Sequence, residues 1–348
     1  MFKFLLNKIL VVAITLLGAS FLAFILIRLV PGDPVTHLLG ERGGSPEQVA
    51  SMRARFGLDQ SMPVQYLSFV RRAAVGDMGV SIISGRPVSE EFFARFPATL
   101  ELGLSALLWA TLIGIPLGVW AAYKQKTAFD YGTMTFSMLG YSMPLFWWGL
   151  LLIMIFSVKL GWFPVSGRMD VAYDVPSRSG FLLWDVWWTP ELSFAEKFFN
   201  FKLALKHLVL PALVLGTIPL ALLSRITRAC MIESLSEDYV RAARSRGLTE
   251  SVVLRKYALR NSLAPVVTVM GLLVGSVMTG AVLTETLFSW PGVGRWLIKS
   301  IEARDYPVIQ GGILYTSFAV VMVNLLTDIV VLWLNPKTRS QVLGEAAR

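Results

Sequence analysis

Six long apolar stretches alternate with polar segments along this chain of 348 residues. A helix needs about 20 consecutive, mostly apolar residues to cross the hydrocarbon core of a bilayer, and each stretch meets that length. We therefore predict an all-α integral membrane protein with about six transmembrane helices. The predicted helices cover residues 9–30, 100–123, 132–158, 207–228, 262–285 and 308–334.

The first stretch also begins as a secretory signal does, because Lys3 and Lys8 precede it. Its uncharged run extends from Ile9 to Ile27, which is longer than the apolar part of a signal peptide. It ends at Arg28 without a small-residue cleavage site. We therefore expect residues 1–30 to form a retained anchor helix.

The polar segment 31–99 contains local signals of short helices. Residues 45–47 place a serine cap, a proline at the first helical position and an acid in the first turn, and Gly57 can end that helix. A second short helix is predicted over 64–75. A third begins at residues 89–91 and leads toward the second apolar stretch.

Lysine and arginine near the ends of transmembrane helices favour the cytoplasmic side. With the N-terminus inside, the inner segments are 1–8, 124–131, 225–261 and 335–348, and they contain 15 basic and six acidic residues. The outer segments 31–99, 159–206 and 285–307 contain 16 basic and 15 acidic residues. This asymmetry predicts that both termini are cytoplasmic and that residues 335–348 form a cytoplasmic tail.

The composition agrees with a membrane protein, since 55% of the residues are hydrophobic and only 16% are charged. Soluble domains have about 25% charged residues. The net charge of +9 follows the predicted orientation, so we expect the lipid bilayer and no nucleic acid as a partner. Cys230 is the single cysteine, and His37 and His207 are far apart. We therefore predict no metal site, and we expect each histidine to be buried or interfacial.

Several classes of function leave signatures that this sequence lacks. A phosphate-binding P-loop requires Gly-Lys-[Ser/Thr], and no Gly-Lys dipeptide occurs in the chain. Neither the Gly-x-Ser-x-Gly motif of hydrolases nor the His-Glu-x-x-His motif of metalloproteases is present. We therefore expect no catalytic residue, and ATP can drive this chain only through other subunits.

An ion-coupled carrier is the alternative class of transporter, and it usually has ionisable groups near the bilayer midplane. The acids within or beside the apolar stretches are Glu101, Glu285 and Asp328. All three fall near predicted helix ends, where helix capping or interhelical hydrogen bonds explain them. The carrier is therefore the less favoured alternative.

The loop 237–265 has the features of a contact site for a partner protein. Its acidic start and later arginines match the polarity of a helix, and Gly247 can end that helix in a left-handed conformation. A second short helix is predicted from Thr249 to about Leu259. Ala242 and Ala243 are small enough for a close approach to a partner. The alternative is a basic loop lying on anionic lipid headgroups.

The spacing Ala-Ala-x-x-x-Gly at residues 242–247, with Leu-x-Pro at 263–265, resembles the EAA loop of permease subunits in bacterial ABC importers. Arg241 replaces a glutamate that many members have, and the spacing from Gly247 to Pro265 is long. Both features are similar to the peptide/nickel branch of the family. Residues 141–148 and 284–297 most resemble the dipeptide permeases of that branch. Seven further motifs of that branch follow in order at residues 31–34, 57–59, 76–81, 98–102, 140–144, 285–294 and 304–312.

The resemblance implies an inner-membrane subunit that forms half of a pathway for dipeptides or other short peptides. Nickel chelates, glutathione and haem are alternative substrates. It also implies a second homologous permease, two ATPase subunits that bind ATP and Mg²⁺, and a periplasmic substrate-binding protein. The implied domains are the anchor helix, the periplasmic segment 31–99, a five-helix core over 100–334 with periplasmic loop 159–206, and the tail. The implied coupling residues are Glu237, Asp238, Tyr239, Arg241, Ala242, Ala243, Arg244, Gly247 and Pro265.

Two further sets of residues are candidates for contact with the substrate or with the binding protein. The candidates that line the pathway are Tyr141, Ser142, Met143, Pro144, Gly275 and Ser276, although helix packing explains small residues equally well. The candidates that dock the binding protein are Trp184, Trp187, Trp188, Trp290 and Arg295. Packing at the membrane surface is the alternative for the tryptophans of loop 159–206.

Overall fold

In the computed structural model of the protein, residues 2–29, 35, 45–55, 57–170, 172–173 and 175–334 are described. Within these ranges the regular elements are helices, besides one isolated bridge between Val80 and Pro87. The all-α fold is therefore confirmed. The predicted tail, the motif at 31–34 and His37 lie outside the described residues.

Twelve helices follow one another in the described residues. They are α1 (Phe2–Leu29), α2 (Pro46–Arg55), α3 (Met62–Ala74), α4 (Val88–Tyr123), α5 (Ala128–Ser142), α6 (Leu145–Lys159), α7 (Leu182–Trp188), α8 (Phe194–Ser236), α9 (Asp238–Ser245), α10 (Glu250–Leu287), α11 (Val293–Glu302) and α12 (Tyr306–Leu334). The last seven residues of α6 and residues Val253–Leu259 of α10 are π-helical.

Five of these helices, α1, α4, α8, α10 and α12, are long and apolar enough to cross a membrane, and the bent pair of α5 and α6 makes a sixth if the pair is one span. The predicted number of spans is confirmed. The third span, however, is not the single helix expected over 132–158, because α5 and α6 meet at 107°. Pro144 has no N–H to donate and disfavours a helical conformation at the preceding residue. Met143 is accordingly extended, with φ −77° and ψ 134°.

Several spans are longer than the apolar pattern indicated. The helix predicted to begin at residues 89–91 is the first part of α4, which continues without interruption to Tyr123. The two short helices predicted before it are present as α2 and α3. Gly57 follows α2 with φ +65°, the left-handed conformation that glycine adopts without steric cost.

The chain divides into two compact units, Met1–Pro97 with Pro291–Val321 and Ala98–Trp290 with Met322–Arg348. In the first unit, Phe92 and Trp296 belong to a buried apolar cluster that joins α4 to α11. Trp296 Nε1 donates a hydrogen bond of 2.7 Å to Glu91 Oε2. Ser81 Oγ likewise donates to Asp305 Oδ2 at 2.5 Å. These two buried carboxylates are therefore paired, which offsets the free-energy cost of their burial.

The second unit is built around α8, the most enclosed of its spans. Small residues let other helices approach α8 closely, as is usual in membrane proteins. A Cβ atom at Gly118 of α4 would lie 2.5 Å from the Ser224 carbonyl oxygen. Trp109 Nε1 of the same helix donates to the Ala212 carbonyl at 2.6 Å. Helices α4 and α8 therefore pack almost backbone to backbone.

Candidate functional site

The first candidate site is the short helix α9, in the predicted coupling loop. It follows Glu237, whose backbone is extended (φ −70°, ψ 149°), and Gly247 then turns the chain with φ +74°. The predicted first helix and its glycine turn are therefore confirmed.

The second helix of the loop differs from the prediction. It was expected to end near Leu259, but it begins at Glu250 and continues as α10 to Leu287, a single helix of 38 residues. No glycine or proline interrupts residues 250–264. Pro265 lies inside α10 with its side chain exposed.

The two alanines of α9 have different surroundings. Ala243 is 2% exposed and packs with Val240 and Val253, so its small size serves packing within this chain. Ala242 is exposed. The partner contact expected of Ala243 is therefore wrong, and the contact expected of Ala242 stays a prediction. The surface around it is formed by Glu237, Asp238, Tyr239, Arg241 and Arg244, which are all exposed.

Hydrogen bonds that the sequence did not suggest fix α9 to the rest of the second unit. Arg244 Nη2 donates to Glu250 Oε1 at 2.6 Å across the Gly247 turn, and this hydrogen bond raises the pKa of Arg244. The Tyr239 hydroxyl lies 2.6 Å from Ser234 Oγ. Helix α9 thus presents a polar outer face and is held by an apolar inner face.

The second candidate site is a cavity of about 150 Å³ between α5 and α8. Tyr141 and Ser142, both predicted to line the pathway, border this cavity together with Ser137 and Arg225. The predicted neighbours Met143 and Pro144 form the break between α5 and α6. The structure therefore brings half of the predicted residues of this segment together with an arginine that the prediction did not include.

A polar stripe along α10 is the third candidate. Every third or fourth residue is exposed, and most of these are polar. The stripe consists of Asn261, Pro265, Thr268, Leu272, Ser276, Thr279, Leu283 and Thr286. Polar side chains in a span usually face water or another helix, so this face of α10 is suited to line an aqueous pathway.

Gly275 and Ser276, the two residues of α10 predicted to line the pathway, differ in their exposure. Ser276 belongs to the polar stripe. Gly275 is buried, and a Cβ atom there would lie 2.6 Å from Asn324 Oδ1 of α12. The lining role predicted for Gly275 is therefore wrong, because its small size allows the contact between two helices.

The residues predicted to dock the binding protein also differ in their exposure. Trp184 and Trp188 stack on α7 with ring centres 5.7 Å apart and are exposed, as Trp187 is. Trp290 is 1% exposed, and its Nε1 donates to the Ala98 carbonyl at 2.9 Å. Its predicted docking role is therefore corrected to a role in the core. Arg295 of α11 is partly buried.

Asp185 anchors the loop that carries these tryptophans, and nothing in the sequence marked it. Its carboxylate accepts backbone N–H bonds from Arg178, Ser179 and Gly180 and a bond from the Ser179 hydroxyl. Burial raises the pKa of Asp185, but these hydrogen bonds outweigh burial and lower it below the usual value. The loop is thereby fixed by an ionised carboxylate.

The acids near the spans have partners, as the capping and hydrogen-bonding interpretation predicted. Arg168 Nη2 lies 2.6 Å from Glu101 Oε2, and Thr99 Oγ1 donates to Glu285 Oε1 at 2.6 Å. His207 is buried. Among the described residues, no group of three or more His, Cys, Asp or Glu is arranged to hold a metal ion.

Comparisons with known proteins agree with this architecture. Residues 114–340 match the family model described as "Binding-protein-dependent transport system inner membrane component". Residues 1–103 match "Binding-prot-dependent transport system membrane comp, N-term".

Three curated relatives cover almost the whole chain. The chain is 51% identical over 327 residues to the Di/tripeptide transport system permease protein DppB of Pseudomonas aeruginosa, covering 94% of this chain and 96% of the relative. It is 47% identical to the Dipeptide transport system permease protein DppB of Escherichia coli, covering 97% and 99%. It is 36% identical to the Glutathione transport system permease protein GsiC of Salmonella choleraesuis, covering 97% and 99%.

Proposed function

Because this chain belongs to the family of binding-protein-dependent transport system inner membrane components and is the permease subunit of an ABC importer, we propose that it carries dipeptides and other short peptides. The names of these relatives, which are dipeptide and di/tripeptide permeases, support this substrate class. A second permease subunit would complete the pathway. Two ATPase subunits, which bind ATP and Mg²⁺, and a periplasmic binding protein would complete the importer.

The observation that carries the proposal is the polar stripe of α10. A helix facing only lipid would not expose Thr268, Ser276 and Thr279 on one side, because polar groups are costly in hydrocarbon. The hydroxyls of the stripe carry no charge, and Thr268 Oγ1 also donates a hydrogen bond to the Ala264 carbonyl of its own helix. The stripe therefore offers the substrate few fixed charges. Such a lining suits a pathway that releases varied peptides, while the binding protein selects them.

Energy would enter through α9, whose polar face surrounds the exposed Ala242. This chain would then have no catalytic residue, and ATP hydrolysis would be left to the partner subunits. The exposed tryptophans of α7 would dock the binding protein. Both termini would be cytoplasmic, which places α9 on the side where ATP is available.

The test is uptake of a radiolabelled dipeptide by proteoliposomes that contain the complete importer and an excess of its binding protein. We expect uptake that requires ATP and is insensitive to a proton uncoupler. Uptake abolished by the uncoupler would instead support the ion-coupled carrier. Competition with glutathione, haem and a nickel chelate then distinguishes the substrates, and the GsiC relative makes glutathione the first competitor to examine.

A further inference from the structure

The cavity between α5 and α8 contains a cation without a carboxylate partner in the described part of the chain. Arg225 is exposed, and its guanidinium carbon lies 6.0 Å from the centre of the Tyr141 ring. The neighbouring Arg228 is different, since its Nη2 donates to Asp130 Oδ2 at 2.7 Å. Of these two arginines of α8, one is therefore neutralised and the other is available to a ligand.

The direction of the Arg225 side chain places its charge inside the span. Side chains of an α-helix lean toward its N-terminus, so on α8 this arginine leans away from the Asp130–Arg228 pair. Tyr141 is 11 positions beyond Asp130 on α5, or about 16 Å at 1.5 Å per residue. An arginine near a helix end usually extends toward the headgroups, but this one extends toward the break at Pro144.

A charge within a span is costly unless it faces water or a counter-ion. Ser137, Ser142 and Tyr141 form a polar side of the cavity. Met134 and Met138, whose side chains are flexible, form an apolar side. Its volume of about 150 Å³ corresponds to roughly five water molecules. That space fits a carboxyl group and its neighbouring atoms.

We propose that Arg225 and the surrounding cavity form a subsite for the C-terminal carboxylate of a peptide in transit, an inference that rests on the proposed function. The planar guanidinium matches the two oxygens of a carboxylate. All short peptides with a free C-terminus share this group whatever their side chains, and methionine adapts to varied shapes. Arg225 thus favours the free acid without selecting the peptide sequence.

The test compares uptake of alanylalanine and its C-terminal amide by proteoliposomes that contain the complete importer. Each peptide is supplied at a concentration that saturates the binding protein, so that the permease sets the difference. In R225Q, we expect the ratio of acid uptake to amide uptake to fall roughly tenfold, the effect typical of losing a charge-assisted hydrogen bond. In R225K, which retains the charge but not the planar fork, the ratio falls less.

The matched control is R228Q, which should lower uptake of both peptides equally because it leaves Asp130 unpaired. An unchanged ratio in R225Q overturns the subsite. A change in the amount of anionic lipid that copurifies with R225Q also overturns the subsite, because it would assign Arg225 to a lipid headgroup. If the unaltered importer transports neither peptide, the proposed function fails and the subsite fails with it.

A second measurement leaves Arg225 intact, in case its variants do not fold. Ser142 is replaced by cysteine in a Cys230→Ser background, and the new thiol is labelled with an anionic methanethiosulfonate. We expect alanylalanine to slow the labelling severalfold more than its amide does. Equal protection by the two peptides, or no labelling from the aqueous phase, overturns the subsite.

Discussion

Arg228 of α8 reaches the carboxylate of Asp130 on α5, and Asp130 is only 1% exposed while Arg228 retains partial contact with solvent. The pair lies at the start of α5, where Asp130 Oδ2 also accepts the backbone N–H of Lys126 at 2.9 Å. One carboxylate therefore joins a span, the turn before that span and the central helix of the second unit.

Breaking this pair should destabilise the protein more than removing it altogether. We expect R228Q or D130N alone to cost about 2–3 kcal/mol, below the 3–5 kcal/mol of a fully buried pair, because Arg228 is partly hydrated. The double variant should cost less than either single variant, and therefore less than their sum. Thermal unfolding of the detergent-purified permease measures all three, and additive losses would argue against direct pairing.

The two alanines of α9 should respond differently to a larger side chain. A243L crowds the contact with Val240 and Val253, so we expect a loss of about 1–3 kcal/mol in stability. A242L should leave the melting temperature of the isolated permease unchanged but weaken copurification of the ATPase subunits and peptide-stimulated ATP hydrolysis. If A242L retained full coupling, the partner contact would lie elsewhere on the loop.

Two helical glycines offer a matched test of close packing. G118A adds a methyl group 2.5 Å from the Ser224 carbonyl oxygen, and we expect it to destabilise the permease by about 1–3 kcal/mol. G132A has nothing within 4 Å of the added atom. It should therefore gain up to about 1 kcal/mol from helix propensity. Equal melting temperatures for both variants would contradict the close approach of α4 to α8.

The Asp185 anchor predicts how the loop 159–206 responds to acid. Since its pKa is lowered in the folded protein, its contribution is complete above the pKa of a free aspartate, about 4. It is lost as the pH falls through the lower folded value. The amides of Ser179 and Gly180 should therefore keep their protection from hydrogen exchange between pH 7 and pH 5.

The control for this prediction is D185N, which removes the charge at every pH. We expect its loop amides to exchange roughly tenfold faster than those of the unaltered protein at neutral pH, after correction for intrinsic rates, because bonds to a charged acceptor are lost. Protection that did not change in D185N would mean that other contacts fix the loop.

The sequence predicted the spans because their signal is local, a run of about 20 apolar residues. It did not predict which side of a helix a residue faces. Trp290 looked like a surface aromatic, but it is buried through a hydrogen bond to Ala98, 192 positions away. No local pattern predicts a contact at that separation.

Other signals were present but weaker than the apolar pattern. Val240 and Ala243 are three positions apart, the spacing of one helix face, and this would have placed Ala243 toward the interior. Pro144 indicates a break in the uncharged run 131–158, which the apolar pattern alone predicts to be a single helix. The charge of Arg225 contributes to the orientation pattern in the sequence, but its distance from Tyr141 depends on how two helices pack.

The continuity of α10 has a mechanical consequence. From Glu250, the residue paired with Arg244, to Leu287, 38 residues form one rod about 57 Å long at 1.5 Å per residue. The helix continues through its π-helical segment and Pro265 without a break, so a tilt at one end moves the other. A tilt of about 5° imposed near Glu250 moves the far end by about 5 Å, given that length, which is wider than a water molecule.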